Sequence, residues 1–287
     1  MALGTMLTSA YITPHPPIII PEIGQDNLRQ TPKTVEAMKK LGDDVAKLKP
    51  ETVIIISPHS VTLSNSFGIY NFESYQGNLA QFGAFNINLK FEKDQKLSKE
   101  IIAKSNFPLT EINSALAPEL LEENNLDHGI LVPLYYLSQK YNSFKLVPLT
   151  FSMLDLDKHF EFGKSLGKII KESKEKIVFV ASGDLSHRLT PEAPAGYNPK
   201  GKEFDRQLVE LIKQNKPQEI LKLDQNLIQE AGECGLRSIV ILFGVLSNFD
   251  YKLDFITYEG PFGVGYAVGK FRVSLRGAQR RSNPVRI

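Results

Sequence analysis

One cysteine in 287 residues, Cys234, leaves no partner for an intrachain disulfide, which excludes a disulfide-framed secreted module and fits a reducing compartment. The formal net charge is only +2. Acidic and basic residues interleave without a sustained basic stripe, so nothing points to nucleic acid. Arg276, Arg280, Arg281 and Arg286 outnumber that small excess, leaving the rest of the chain slightly acidic; residues 276–287 lack apolar periodicity and read as a disordered or vector-derived tail. No apolar run approaches a membrane-spanning length, and no basic region followed by an apolar core opens the chain, so the expectation is a cytoplasmic protein with no membrane partner. A Gly-x-Ser-x-Gly elbow is also missing. Ser57, Ser182 and Ser186 therefore lack the turn that exposes a hydrolase nucleophile, and Ser57 and Ser182 read as strand ends. With no internal repeat or low-complexity linker, one domain is the simplest organisation.

What the chain does contain is an alternation of strand-like and helical runs. Thr52-Val53-Ile54-Ile55-Ile56 and Lys176-Ile177-Val178-Phe179-Val180-Ala181 are continuous, largely β-branched runs, the pattern of strands buried on both faces. Thr8 to Ile12, Lys145 to Thr150, Leu253 to Tyr258 and Gly265 to Val273 read as further strands. The more polar stretch from Phe67 to Phe91 suits two or three irregular ones. Helical spacing is evident in Thr34–Leu48, where Val35, Met38, Leu41, Val45 and Leu48 share a face. Helices are also expected at Asp94–Ser105, from His128 through Leu137, and at Leu156–Ser173, Lys202–Gln214 and Gly235–Leu246. The fold class that follows is α/β: a single layered domain with a central, mostly β-branched sheet flanked by helices. Gly260-Pro261-Phe262-Gly263-Val264-Gly265 is followed by strand rather than helix, so it reads as a tight hairpin or a loop near substrate and not as a dinucleotide fingerprint.

Four of the five histidines sit in short segments studded with proline, glycine or aspartate: Pro14-His15-Pro16-Pro17, Ser57-Pro58-His59-Ser60, Leu126-Asp127-His128-Gly129 and Gly183-Asp184-Leu185-Ser186-His187. A buried run that ends in a turn and then an imidazole puts the ring where the sheet stops and ligand or solvent begins. The fifth, His159, lies in the charged stretch Asp157-Lys158-His159-Phe160-Glu161 and reads as the exposed start of a helix. A carboxylate-bearing segment, Glu230-Ala231-Gly232-Glu233-Cys234-Gly235-Leu236-Arg237, completes the set. Two neutral histidines and one carboxylate on one face of a metal ion leave open positions, the arrangement of non-heme Fe(II) oxygenases, and leftover histidines could act as acid and base. Zn(II) activating water would suit the same donors. Spacing alone does not say which two histidines bind.

At these residues, and over nearly the whole chain from Ala10-Tyr11-Ile12-Thr13-Pro14-His15-Pro16-Pro17 to Glu259-Gly260-Pro261-Phe262-Gly263-Val264-Gly265-Tyr266, the sequence resembles the catalytic chains of the class III extradiol ring-cleavage dioxygenases. It is most similar to the branch related to Memo proteins and found fused to AMMECR-type domains. The resemblance implies a class III extradiol dioxygenase domain over residues 1–275 with His15, His59 and Glu233 as metal ligands. It also implies His187 as general base, His128 as an acid or oxygen-binding group, Asp184 orienting His187, and Asp127 acting similarly beside His128. Fe(II), a catechol-like aromatic substrate and dioxygen would follow, as would a homo-oligomer or an AMMECR-type partner. Cys234 follows Glu233 directly, and Memo proteins look to use a cysteine in this region. Which of the two faces the metal decides between a His/His/carboxylate and a softer His/His/Cys site. The other readings this leaves are a Memo-like metal- or ligand-binding protein without ring cleavage and a Zn-dependent hydrolase.

Overall fold

Val53 and Ile55 turn to one side of their strand and Ile54 and Ile56 to the other, and all four are fully buried, in two separate apolar cores. Val178 and Val180 divide from Phe179 and Ala181 in the same way. Strand side chains alternate in direction, so an unbroken apolar run requires cover on both faces. The computed structural model describes residues 6–59, 61–117 and 125–274 and shows that cover.

In chain order the strands are β1 (Leu7–Thr13), β2 (Thr52–Ser57), β3 (Phe67–Tyr70), β4 (Ser74–Leu79), β5 (Ala84–Glu92), β6 (Leu109–Ile112), β7 (Lys145–Thr150), β8 (Ile177–Ser182), β9 (Tyr251–Glu259) and β10 (Tyr266–Val273). The helices are α1 (Pro21–Gly24), α2 (Pro32–Leu48), α3 (Gln95–Lys104), α4 (His128–Leu137), α5 (Leu156–Glu172), α6 (Pro199–Lys213), α7 (Pro217–Ile220), α8 (Gln225–Ala231) and α9 (Leu236–Leu246). Among the described residues an eight-stranded sheet runs β6-β3-β7-β2-β8-β1-β10-β9, and β4 and β5 form a separate antiparallel ribbon. At the centre, β7, β2, β8 and β1 are mutually parallel, while β10 and β9 close one side antiparallel. Residues of α2 and α4 share one core with the ribbon, and residues of α3, α5, α6 and α9 share the other. This is the single α/β domain expected.

The helices start where their sequences supply caps. Asp94 accepts from Leu97 N–H at 2.9 Å, Asn198 from Lys200 N–H at 2.9 Å and Asp224 from Leu227 N–H at 2.8 Å, each filling an acceptor role the first turn lacks. The stretch 260–265 is indeed the hairpin turn between β9 and β10. Strand β6 and the short helices α1, α7 and α8 were not legible as elements in the sequence.

The reading of His159 is corrected. It is fully buried, with Nδ1 2.9 Å from Asp155 O and Nε2 3.1 Å from Ser152 O, and its ring meets those of Phe67 and Phe151. Asp157, Lys158 and Glu161 are exposed on the outer face of α5, whereas the helical turn directs His159 and Phe160 inward. Burial lowers this imidazole to about 4, so the neutral ring donates one N–H to one of these two carbonyls, which only accept. Residues 276–287 lie outside the described residues, and no described helix is long and apolar enough to cross a membrane.

Candidate metal centre

Strands β2, β8 and β1 are neighbours and run the same way, so their carboxyl ends open on one side of the sheet. His59 follows β2, Asp184 and His187 follow β8, and His15 follows β1. Ligands gather at such strand ends because the backbone there leaves the ladder. His128 opens α4, which packs against β2. The loop between α8 and α9 adds Glu233 and Cys234. That loop approaches the end of β8 closely: a Cβ on Gly183 would lie 2.1 Å from Gly235 Cα, so only glycine permits the approach.

The rings converge. His15 Nε2 and His59 Nε2 are 2.8 Å apart, His59 stacks on His128 with centroids 4.2 Å apart, and Cys234 Sγ is 3.6 Å from His15 Nε2. One ligand atom each from His15, His59 and Cys234 fall within 4.8 Å of one another. Protonation can be read from the neighbours. The Ser182 hydroxyl donates its only proton to Gly129 O, so its oxygen must accept from His15 Nδ1–H at 3.0 Å, and the His15 lone pair is left at Nε2. His187 is fixed similarly. Its Nδ1 lies 2.6 Å from Gly232 O, which only accepts, so Nδ1 carries the hydrogen and Nε2 the lone pair.

Burial governs the charges. His15 is held well below the usual imidazole range by desolvation and by the neighbouring imidazoles. His59 is lowered to about 4 by desolvation and then by His128, against an opposing pull from Asp127. His128 and His187 are lowered by desolvation, opposed by Asp127 and by the Gly232 carbonyl respectively. All four rings are neutral near pH 7. Burial pushes the Cys234 thiol well up, and the Asp184 and Glu233 carboxyls add to that. With the His15 lone pair at Nε2, His59 Nε2–H donates to it across 2.8 Å. An ion entering between them would take both nitrogens, His59 moving its hydrogen to Nδ1, together with the thiol as thiolate, a donor set that suits a soft or borderline divalent ion.

The structure brings His15, His59, His128 and His187 to one place and adds Cys234. Two carboxylates take positions other than those the resemblance implied. Glu233 is turned to α9, where Oε2 accepts from Leu236 N–H at 2.6 Å; burial raises its carboxyl to about 7. A helix N-terminus stabilises a buried acidic group there, which leaves Cys234 beside the imidazoles. Asp184 faces His15 rather than His187. Oδ1 accepts from His15 N–H at 3.0 Å, Oδ2 lies 3.8 Å from His15 Nε2, and desolvation raises the acid to about 7. Asp127 sits at the N-cap of α4 without capping it; its oxygens accept from Ser57 Oγ at 2.7 Å and Tyr70 Oη at 2.9 Å. Ser57, Tyr70 and Ser182 were missed as site residues. For the serines the available signal was a hydroxyl ending a buried strand just ahead of a candidate site residue, His59 or Asp184.

Fold and site together define an α/β protein with a candidate mononuclear metal centre at the carboxyl ends of its parallel strands. The chain belongs to the family described as the catalytic LigB subunit of aromatic ring-opening dioxygenase, matched over residues 9–269. It is 34% identical to Protein CA_C1420 of Clostridium acetobutylicum over 92% of its own length, and it spans 57% of that relative. It is 24% identical to the 2-aminophenol 1,6-dioxygenase beta subunit of a Pseudomonas species, over 98% of both chains. A MEMO1 family protein of Methanococcoides burtonii is 30% identical over 36% of this chain and 38% of the relative.

Proposed function

We propose that this protein is a metal-dependent oxidoreductase of extradiol type, acting with dioxygen on a catechol-like aromatic ring. The observation that carries the reading is the convergence of His15 Nε2, His59 Nε2 and Cys234 Sγ beside the His128 ring, with His187 near enough to act electrostatically on His15 and His59. His15, His59 and Cys234 would hold the ion, with Fe(II) the natural choice for oxygen chemistry and Zn(II) compatible with the same donors. When bound, the metal supplies a template on which two substrate oxygens and dioxygen meet.

The chain's own groups then manage protons. His187 is neutral at pH 7 and keeps its Nε2 lone pair, so it can accept a hydroxyl proton from the ring substrate. Receiving that proton makes it an imidazolium whose Nδ1–H is already bonded to the Gly232 carbonyl. His128 stacks on His59 and can hold or return a proton nearby, with the Asp127 charge favouring its protonated form. Asp184 fixes the His15 backbone, and Ser182 fixes its ring.

One observation favours a second reading. A thiol in place of the expected carboxylate makes the site softer than the His/His/carboxylate arrangement, which suits a Memo-like metal-binding protein without ring cleavage. Anaerobic Fe(II) loading followed by oxygen uptake across a panel of catechols separates the two. Stoichiometric iron and catechol-dependent uptake, both lost in His15→Ala and Cys234→Ala, is the expected result. Bound metal without oxygen uptake for any catechol would replace the ring-cleavage reading with the second.

A further inference from the structure

The polar site has an apolar wall that the metal chemistry does not use. Among the described residues, Phe82 is the one carbon-only ring in contact with a site imidazole: its centroid lies 5.6 Å from that of His128, with the planes at 67°. Phe82 ends a single 3-10 turn, Ala80–Phe82, at the tip of the β4–β5 ribbon, and Gly83 follows in the left-handed region with φ +90. Tyr75, Leu79, Ile87 and Phe91 of the ribbon are buried in the core and Phe85 is exposed to solvent, whereas Phe82 is half-buried against the core, so part of its ring remains open on the side of His128.

The ribbon is tied to the segment that carries His128. Asn125 accepts from Gln76 N–H at 3.1 Å through its side chain, donates its own N–H to Gln76 O at 3.0 Å and donates Nδ2 to Ser74 O at 2.9 Å. Gly77 allows β4 to press onto α4, since a Cβ there would lie 2.9 Å from Leu131 Cδ1. These contacts join the ribbon that carries Phe82 to the segment and helix that carry His128, beside the candidate ligands.

We propose that Phe82 is the specificity-determining residue of this site, providing the face or edge against which a planar aromatic ligand packs while its oxygens turn to the His15, His59 and Cys234 group. The inference rests on the proposed ring-cleavage reading and deepens it. An aliphatic chelator with the same two oxygens would gain nothing from Phe82, whereas a ring would gain aromatic contact and burial.

The test uses metal-loaded full-length protein held without oxygen and titrated calorimetrically with catechol and with acetohydroxamate, a ringless two-oxygen chelator. Phe82→Ala should weaken catechol by about tenfold, the loss expected for an aromatic contact and its buried area. Phe82→Tyr should stay within about twofold of wild type, and neither variant should change metal stoichiometry or acetohydroxamate affinity. Phe82→Leu, which keeps bulk without the ring, should fall between them and guards against misfolding of the alanine variant. Equal catechol affinity in wild type and Phe82→Ala would overturn the role of Phe82 alone, as would an equal loss for both chelators, which would mean that the ring merely props His128. Metal-loaded wild type that binds no catechol would overturn both this inference and the ring-cleavage reading.

Discussion

His15 Nδ1 lies 3.0 Å from Ser182 Oγ, and the Ser182 hydrogen is committed to the Gly129 carbonyl, so the serine works as a fixed acceptor that turns the His15 lone pair toward His59 and Cys234. Ser182→Ala removes that acceptor and leaves a buried N–H unpaired or lets the tautomer change. Metal affinity should drop roughly 10- to 100-fold, the usual cost of losing the group that orients a metal-binding histidine. Competition with a chromophoric chelator measures it. Unchanged affinity would mean that the tautomer is set by something else.

Gly183 makes a different kind of contribution, by letting the end of β8 touch the loop that carries Cys234. A methyl group at Gly183 would meet Gly235 Cα at 2.1 Å, and because the neighbour is backbone no rotamer change relieves the clash. Gly183→Ala should destabilise the protein by about 2–4 kcal/mol in urea denaturation and should weaken metal binding by moving Cys234 away from His15. A variant with wild-type stability and wild-type metal affinity would show that the two segments slide freely past each other.

Much of this arrangement could be read from the sequence. The β-branched runs of β2 and β8 state that both faces are covered, and the turn-bounded histidines mark the end of the sheet where the candidate ligands gather. The choice between Glu233 and Cys234 could not be read, because adjacent residues in a loop point apart and only the cap on Leu236 N–H decides which one turns to the helix. His159 misled for a related reason. Its charged neighbours mark the outer face of α5, but one residue along a helix is a rotation of about 100°, enough to pass from solvent to core. Asp184 is legible as a site residue, yet sequence proximity pairs it with His187. Backbone hydrogen bonding at the end of β1 makes His15 its partner instead.

The ionisation states give metal binding a definite proton count. His15 and His59 are already neutral at pH 7, whereas the Cys234 thiol is protonated because its acid dissociation is pushed well up. Binding a divalent ion as thiolate should therefore release at least one proton at pH 7, and affinity should rise by at least about tenfold per pH unit between roughly pH 6 and 8. Calorimetry in buffers of different ionisation enthalpy counts the proton. Cys234→Ala should lower the release by about one proton, and what remains comes from Asp184, whose carboxyl is raised to about 7 and lies 3.8 Å from His15 Nε2. An undiminished release from that variant would locate the thiol's proton elsewhere.

A buried acid away from the candidate ligands should shape stability. Asp205 is 1% exposed, accepting from Ser186 N–H at 2.8 Å and Tyr258 Oη at 2.6 Å, and desolvation raises its carboxyl from 3.8 to about 6. The folded protein thus favours the protonated form. The stabilisation this provides is fully present below the ordinary carboxyl pKa and is lost as pH rises through about 6. Asp205→Asn cannot titrate, so wild type should lose up to about 3 kcal/mol relative to the variant between pH 4 and pH 8. His59 and His159, each lowered to about 4, bias stability the other way, with their contribution lost as pH falls from 6.5 through 4. Both are present in both proteins and cancel in the difference. Urea denaturation of the metal-free pair across this range measures it. Parallel stability curves would mean that Asp205 is solvated or charge-compensated in solution and that its bonds to Ser186 and Tyr258 do not isolate it from water.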